Sequence, residues 1–196
     1  MKTKLIALAV LAAAVALTGC WQKSVHSFYT EKDVFFEEKL LGEWREVGKE
    51  KEEGEGTTWT ISKGELPKAY TIKIADKETK LECDGRLFKM ADTQFLDLYS
   101  RNRSVLDMPA HTLFRVRELG ATFKLQLLSP GWMKDRLQLH PKEISHVLAN
   151  DPEHPDDGDK GEFILTASTE QLQKYVKEHI NDEGFWEEPG ELKKTK

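Results

Sequence analysis

The chain contains two thiols, and they stand in very different surroundings. Cys20 ends a leader in which two lysines precede an uninterrupted apolar run over residues 5–17. That run is shorter than the roughly 20 residues that a membrane-spanning helix needs, and its basic flank is typical of a secretory signal peptide. We therefore expect residues 1–19 to be a signal peptide. Cys83 lies far from this leader, in a predicted strand.

The last residues of the leader, Leu17-Thr18-Gly19-Cys20, resemble the lipobox of bacterial lipoproteins, which has a leucine, two small residues and an invariant cysteine. The resemblance implies that the Cys20 thiol receives a diacylglycerol and that a peptidase cleaves between Gly19 and Cys20. The fatty-acid chains, of the palmitate type, would hold the protein on the extracytoplasmic face of the cell membrane or the outer membrane. Two or three such chains give stable anchoring. An ordinary secretory signal with a chance cysteine is the alternative.

The charge of the exported part argues against two kinds of partner. Without the two lysines of the leader, 27 basic side chains stand against 34 acidic ones, a formal charge of −7. Nucleic-acid binding and attraction to anionic lipid headgroups both depend on clustered Lys and Arg. We therefore expect no nucleic-acid partner, and contact with the lipid bilayer through acylated Cys20.

No pattern of residues typical of an active site or a metal site stands out, so we predict no catalytic residue, no metal and no cofactor. The sequence has no Gly-x-Ser-x-Gly motif, and Cys83 has no histidine beside it, which is typical of a free buried thiol. No two of the six histidines have the i, i+4 spacing of a helical zinc site. The acidic loop at residues 150–161 partly fits a calcium-binding loop, but proline and aspartate occupy positions five and six, which favours a solvated loop.

A candidate ligand site lies in the strands predicted between residues 81 and 99. A two-residue Ala-Asp turn would place Arg86 opposite Asp97. It would also place Phe88 opposite Phe95. The face that carries these pairs combines aromatic and polar side chains: Cys83, Arg86, Phe88, Phe95, Asp97 and Tyr99. Apolar walls with a few converging polar groups are typical of a small-molecule pocket, so the last five of these are the candidate ligand-binding residues. The opposite face carries three leucines, so either face could point inward, and an outer-surface ion pair of little energetic value is the alternative.

The strands that must position these residues are predicted from periodicity and turn signals. Residues 20–32 show no clear period and are predicted to be a tether. From residue 33 to residue 185, alternating apolar and polar stretches predict about eight short antiparallel strands. Hairpin turns are predicted at residues 84–85 and at residues 119–120, the first from an Asp-Gly pair.

The predicted helices lie in the second half of the chain. Ser129-Pro130 is typical of a helix start, and residues 131–148 are predicted to hold two short helices. Residues 168–171 form a capping box that begins a C-terminal helix. We predict a loose, charged tail over residues 186–196.

A Gly-x-Trp pattern at Gly42 and Trp44 leads into the first strand of this meander, and a helix follows the last strand. In this respect the chain is similar to the lipocalin and calycin group. The resemblance implies a mainly β fold, an antiparallel up-and-down barrel with a short helical insert and a C-terminal helix. It also implies that Trp44 plugs the closed end of the barrel, with a place on the wall of a cavity as the alternative. Barrel closure removes free strand edges.

These features predict a membrane-anchored extracytoplasmic lipoprotein with one barrel domain over residues 33–185. We expect it to bind a small, partly apolar ligand in the barrel without catalysis. The alternative is an envelope protein whose barrel is filled and whose surface contacts another protein. The interior volume separates the two hypotheses, because an eight-stranded barrel can be just filled or can hold one ligand.

Overall fold

The structure is a computed structural model that describes residues 21–47, 56–77, 80–100, 109–149 and 161–195. The predicted signal peptide, Cys20 and residues 150–160 of the acidic loop lie outside these ranges. In chain order the strands are β1 (Lys23–Ser24), β2 (Val34–Phe35), β3 (Gly42–Glu46), β4 (Thr58–Lys63), β5 (Ala69–Ala75), β6 (Lys80–Met90), β7 (Thr93–Ser100), β8 (His111–Leu119), β9 (Thr122–Leu127), β10 (His146–Ala149), β11 (Glu162–Leu165) and β12 (Gly190–Lys194). The helices are a short 3-10 helix at Glu38–Leu40, α1 (Pro130–Leu139) and α2 (Thr169–His179).

Eight of the strands form a closed antiparallel barrel. Each strand from β3 to β9 pairs with the next one along the chain. Strand β12 then pairs with both β9 and β3 and completes the ring. The predicted fold class, a mainly β antiparallel barrel with a C-terminal helix, is confirmed.

The strand that completes the barrel comes from the segment predicted to be a loose charged tail. That prediction is wrong for Gly190–Lys194, where Leu192 lies opposite Phe123 on one side and Glu46 on the other. Leu192 is the single buried side chain of this strand. With one buried position, the segment has no alternation from which a strand could be predicted.

Asp84 and Gly85 do not form a hairpin turn, contrary to the prediction, because they lie in the middle of β6. A Cβ atom at Gly85 would come within 2.6 Å of Cδ1 of Ile72, so this glycine permits the close approach of β5. Without a turn here, Cys83 and Arg86 lie on opposite faces of the strand. Cys83 forms no disulfide bond and is buried in the barrel interior, as a small apolar residue would be.

The hairpin of β8 and β9 has the predicted faces and a different register. Val116 lies opposite Leu125 rather than Phe123, because the turn comes after Leu119 and β8 carries a bulge between Val116 and Glu118. A shift of two residues keeps the same side chains on the inner face, whereas a shift of one would have reversed the faces.

Apolar side chains pack in two layers, one inside the barrel and one outside it. The larger members of the inner layer are Trp44, Trp59, Tyr70, Ile72, Leu87, Leu96, Phe114 and Phe123. The outer layer lies between the barrel wall, α1, α2 and the N-terminal segment, and includes Phe28, Phe88, Phe95, Leu113, Met133, Leu137, Leu172, Tyr175, Val176 and Phe185. Strands β6 to β8 are therefore buried on both faces, which weakens their alternation of polar and apolar residues.

The segment predicted to be a tether is packed on the body of the protein. Trp21 is 6% exposed and Phe28 is 1% exposed. Between them, β1 pairs in parallel with β11 and antiparallel with β8. The tether prediction is therefore wrong for the described residues 21–32.

The helix predictions are confirmed in part. Ser129 and Ser168 cap α1 and α2, and the predicted capping box between Ser168 and Gln171 is present. Strand β10 stands where a second short helix was predicted after α1. Neither α-helix in the described part of the chain has the length and apolar character that crossing a membrane requires.

Candidate functional site

The candidate ligand-binding residues of β6 and β7 lie on the outer side of the barrel wall. The predicted pairing is confirmed, since Arg86 lies opposite Asp97 and Phe88 lies opposite Phe95. The rings of Phe88 and Phe95 stack with centroids 5.3 Å apart and form part of the outer layer. These residues therefore do not line the barrel interior, and their role in ligand binding stays a prediction.

Asp97 is the centre of a buried polar cluster in this outer layer. Its side chain, 1% exposed, accepts a hydrogen bond from the backbone N–H of Phe28 at 2.9 Å and lies 2.7 Å from Nδ1 of His111. The His111 ring packs against the ring of Tyr99, with centroids 4.8 Å apart. Arg86 on the neighbouring strand is 7% exposed, and its Nε and Nη1 atoms have no hydrogen-bond partner among the described residues. Buried polar groups are normally paired, so two buried donors without a protein partner are candidates to bind a small acceptor.

Tyr29 covers this cluster from the N-terminal segment. Burial raises the pKa of its phenol, and the negative charge of Asp97 raises it further, while the Arg86 guanidinium acts in the opposite direction. The Tyr29 phenol is therefore neutral at physiological pH, and its ring covers the Asp97 cluster. The cluster joins the N-terminal segment to the barrel wall.

Inside the barrel, several large side chains are fully buried. Trp44 is fully buried, and its indole N–H donates a hydrogen bond to the backbone carbonyl of Leu40 at 2.9 Å. The ammonium group of Lys194 lies 5.2 Å from the centroid of the Trp44 ring. Gly42 has a φ of 128°, a conformation that favours glycine. The backbone conformation at Gly42 and the buried hydrogen bond of Trp44 thus explain why these residues occupy the Gly-x-Trp pattern. Trp44 does not line the cavity described next.

A cavity of about 90 Å³ lies at one end of the barrel, which we call the mouth. Its apolar walls are formed by Trp21, Trp59, Phe114, Leu125, Leu127 and Leu192. Four carboxylates stand around it: Glu46, Glu187, Glu188 and Glu191. Sequence reasoning missed Trp21, because this residue was assigned to the tether. The signal that could have found it is the large aromatic side chain itself, which has no reason to be part of a solvated linker.

Trp59, which lines the mouth cavity, carries a buried polar group without a partner among the described residues. Its side chain is 2% exposed, and its indole N–H has no acceptor among the described residues. A buried donor without an acceptor costs about 1–3 kcal/mol, so an occupant with an acceptor atom is favoured. The cavity, at about 90 Å³, is well below the roughly 300–1,000 Å³ of pockets for drug-sized ligands. Only a small group fits.

A second polar cluster joins the two helices outside the barrel. Arg136 of α1 donates two hydrogen bonds to Glu143, each 2.6 Å long. His179 of α2 lies 3.2 Å from Glu143 and 2.7 Å from Asp182. The hydrogen bonds from Arg136 hold the pKa of the Glu143 carboxyl below its usual range, and burial opposes them in part. Burial raises the pKa of the neighbouring Tyr175, which keeps its phenol neutral. These contacts hold α1, α2 and the connection between α1 and β10 together.

The closed eight-stranded antiparallel barrel is compatible with a lipocalin-like fold. No family model matches the chain, and comparison with curated proteins and with solved structures found no significant match. The predicted lipidation and cleavage site at Gly19 and Cys20 lies outside the described residues.

Proposed function

We propose that the protein is a lipid-anchored, extracytoplasmic barrel protein that binds a small, partly apolar ligand at its mouth without catalysing a reaction. The observation that carries the binding proposal is the mouth cavity, which is lined in part by Trp59, whose buried indole N–H has no acceptor among the described residues. The anchor is inferred from the lipobox-like residues that end at Cys20.

The walls of the cavity define the chemistry of the ligand. Aromatic rings and leucines favour an apolar body, and the Trp59 N–H favours an oxygen or nitrogen acceptor on it. The four surrounding glutamates disfavour an anionic ligand. A neutral or cationic molecule of a few non-hydrogen atoms fits these conditions.

The lining of the cavity argues against covalent catalysis by a hydroxyl or a thiol. Among the described residues that line it, there is no serine, cysteine or histidine. Catalysis of that kind needs a serine or cysteine nucleophile beside a base.

The anchor is tested by the Cys20→Ser variant of the full chain. We expect it to lose labelling by a clickable fatty acid and to move from the membrane fraction to the soluble fraction. Matched labelling of the wild-type protein in the same host is the control. Labelling that survives the substitution would contradict the lipobox proposal.

The ligand is tested by native mass spectrometry on the protein released in detergent from its own host. We expect a reproducible small adduct that is absent from Leu127→Trp, in which the larger ring fills the mouth cavity. Leu119→Trp is the matched control, since Leu119 also packs against the barrel core but lies away from the cavity. An adduct that persists in Leu127→Trp would place the ligand elsewhere.

The alternative, an envelope protein that contacts another protein, is favoured by one specific observation. Seven side chains of the barrel core have no exposed surface: Leu40, Trp44, Tyr70, Ile72, Leu87, Leu96 and Phe123. A protein without any adduct in every preparation, together with one crosslinked protein partner, would favour this alternative over ligand binding.

A further inference from the structure

The chain is held rigidly from the first described residue onward. The side chains of Trp21 and Gln22 are buried, and Nε2 of Gln22 donates a hydrogen bond to the carbonyl of Phe163 at 2.7 Å. Lys23 then pairs with Ile164 of β11. No flexible spacer therefore separates the folded body from residue 20.

This rigidity determines where a lipid on Cys20 would leave the protein. Consecutive Cα atoms are about 3.8 Å apart, so the acylated residue lies one step from Trp21. Trp21 itself forms a wall of the mouth cavity. The polar headgroup layer of one leaflet is only about 6 Å thick, so a body attached this closely must touch the membrane.

The surface beside Trp21 carries exposed apolar side chains. On β10, Val147 is 50% exposed, and Leu148, which points to the opposite face of the strand, is 46% exposed. Ile164 of β11 pairs with Lys23 on one side and with Val147 on the other. Because neighbouring strands are about 5 Å apart, Val147 lies about 10 Å from the N-terminal segment. Val47, 45% exposed, lies at the mouth, where its N–H donates to the carbonyl of Glu191.

We propose that the lipid bilayer covers this face, so that the mouth of the barrel and strand β10 rest against the membrane surface. The inference rests on the proposed acylation of Cys20, because the position of the anchor selects the bilayer as the occupant of this face. Val47 and Val147 contact the boundary between headgroups and acyl chains. A ligand of the mouth cavity then enters from the headgroup layer.

The charge of this face selects the kind of lipid. The four glutamates around the mouth repel anionic headgroups. Lys23 does not offset them, because it is paired with Glu162 at 2.8 Å, whereas Lys124 lies 3.7 Å from Glu191 and offsets that one charge in part. The proposed surface is therefore a zwitterionic phospholipid layer.

The test uses the full-length, host-acylated protein reconstituted in phosphatidylcholine vesicles that contain a lipid with a nitroxide headgroup. A bimane label is attached at Val147→Cys, and in a matched control at Leu66→Cys, which is 64% exposed in the turn between β4 and β5. The native Cys83 is buried and does not react with the label. We expect loss of most of the bimane fluorescence at position 147 and little loss at position 66.

A third protein carries a ten-residue Gly-Ser linker between Cys20 and Trp21. Such a linker spans roughly 17 Å on average, so the body can leave the surface. We expect the loss of fluorescence at position 147 to fall to the level at position 66.

Equal quenching at the two positions, in protein whose mass includes the acyl group, would overturn the proposed orientation and leave the anchor intact. A mass without the acyl group would overturn the anchor, and the orientation with it. Mass spectrometry of each preparation therefore distinguishes the two failures.

Discussion

Two buried tryptophans permit a direct test of the unpaired donor at the mouth. Trp44 and Trp59 lie opposite each other on β3 and β4, and both are almost fully buried. The Trp44 N–H donates to Leu40, whereas the Trp59 N–H has no acceptor among the described residues. Replacing each by phenylalanine removes the same atoms, so the two substitutions differ mainly in the hydrogen bond.

The expected difference follows from the cost of unpaired polar groups. Trp44→Phe leaves the Leu40 carbonyl without its partner, at a cost of about 1–3 kcal/mol. Trp59→Phe removes an unpaired donor whose burial already costs a similar free energy, so this substitution relieves that cost. In ligand-free protein, Trp44→Phe should therefore lower the free energy of unfolding by about 2–6 kcal/mol more than Trp59→Phe does.

The assay is urea unfolding of a soluble body that starts at Trp21, followed by circular dichroism. A start at Ser24 would remove one wall of the cavity. With a slope of about 1–3 kcal/mol per molar urea, the two midpoints should differ by about 1 M or more. Equal midpoints would show that the Trp59 N–H is satisfied without a ligand, and the binding argument would lose its main support.

Three further predictions concern the fold and its pH dependence. Deleting residues 190–196 should abolish cooperative urea unfolding, because the barrel loses the strand that closes it; a truncated protein that still unfolds in one sharp transition would contradict this role. Asp97→Leu should destabilise the protein by about 1–3 kcal/mol in urea unfolding, because it leaves the buried backbone N–H of Phe28 without its acceptor. Asp97→Asn, which keeps an acceptor oxygen, should lose less, and equal losses in the two variants would refute the explanation. Since its pKa is lowered in the folded state, Glu143 stabilises the protein above the pKa of an unfolded glutamate, and this contribution is lost as the pH falls through the folded pKa. Arg136→Gln should flatten the fall in thermal midpoint below about pH 5, and an unchanged profile would exclude this pair as its source.

Several features were predictable because their signals are local. The turn after Met90 brings β6 and β7 together through two residues, which is why the pairing of Arg86 with Asp97 could be derived from spacing. The capping box of α2 is a pattern of four consecutive residues, and it is confirmed. The inner faces of β8 and β9 were predictable because a side-chain period of two survives an even shift in register.

Other features depend on contacts between distant parts of the chain. Asp84-Gly85 has the composition of a turn, but the packing of β5 and β7 on both sides keeps it in a continuous strand. The face of β6 that carries Arg86 points outward and is still buried, because α2 and the N-terminal segment cover it. Local periodicity does not distinguish a covered outer face from an inner one.

By itself, the sequence determined that this is a mainly β chain with a capped C-terminal helix, since strand and helix periods are properties of neighbouring residues. The tertiary structure decided which segments complete the barrel and its mouth. Strand β12 closes the ring by pairing with β3 from the opposite end of the chain. Trp21, from the segment that resembled a tether, forms part of the mouth cavity. Both depend on burial by distant partners, because a short charged strand or a single tryptophan has no local pattern that specifies what it packs against.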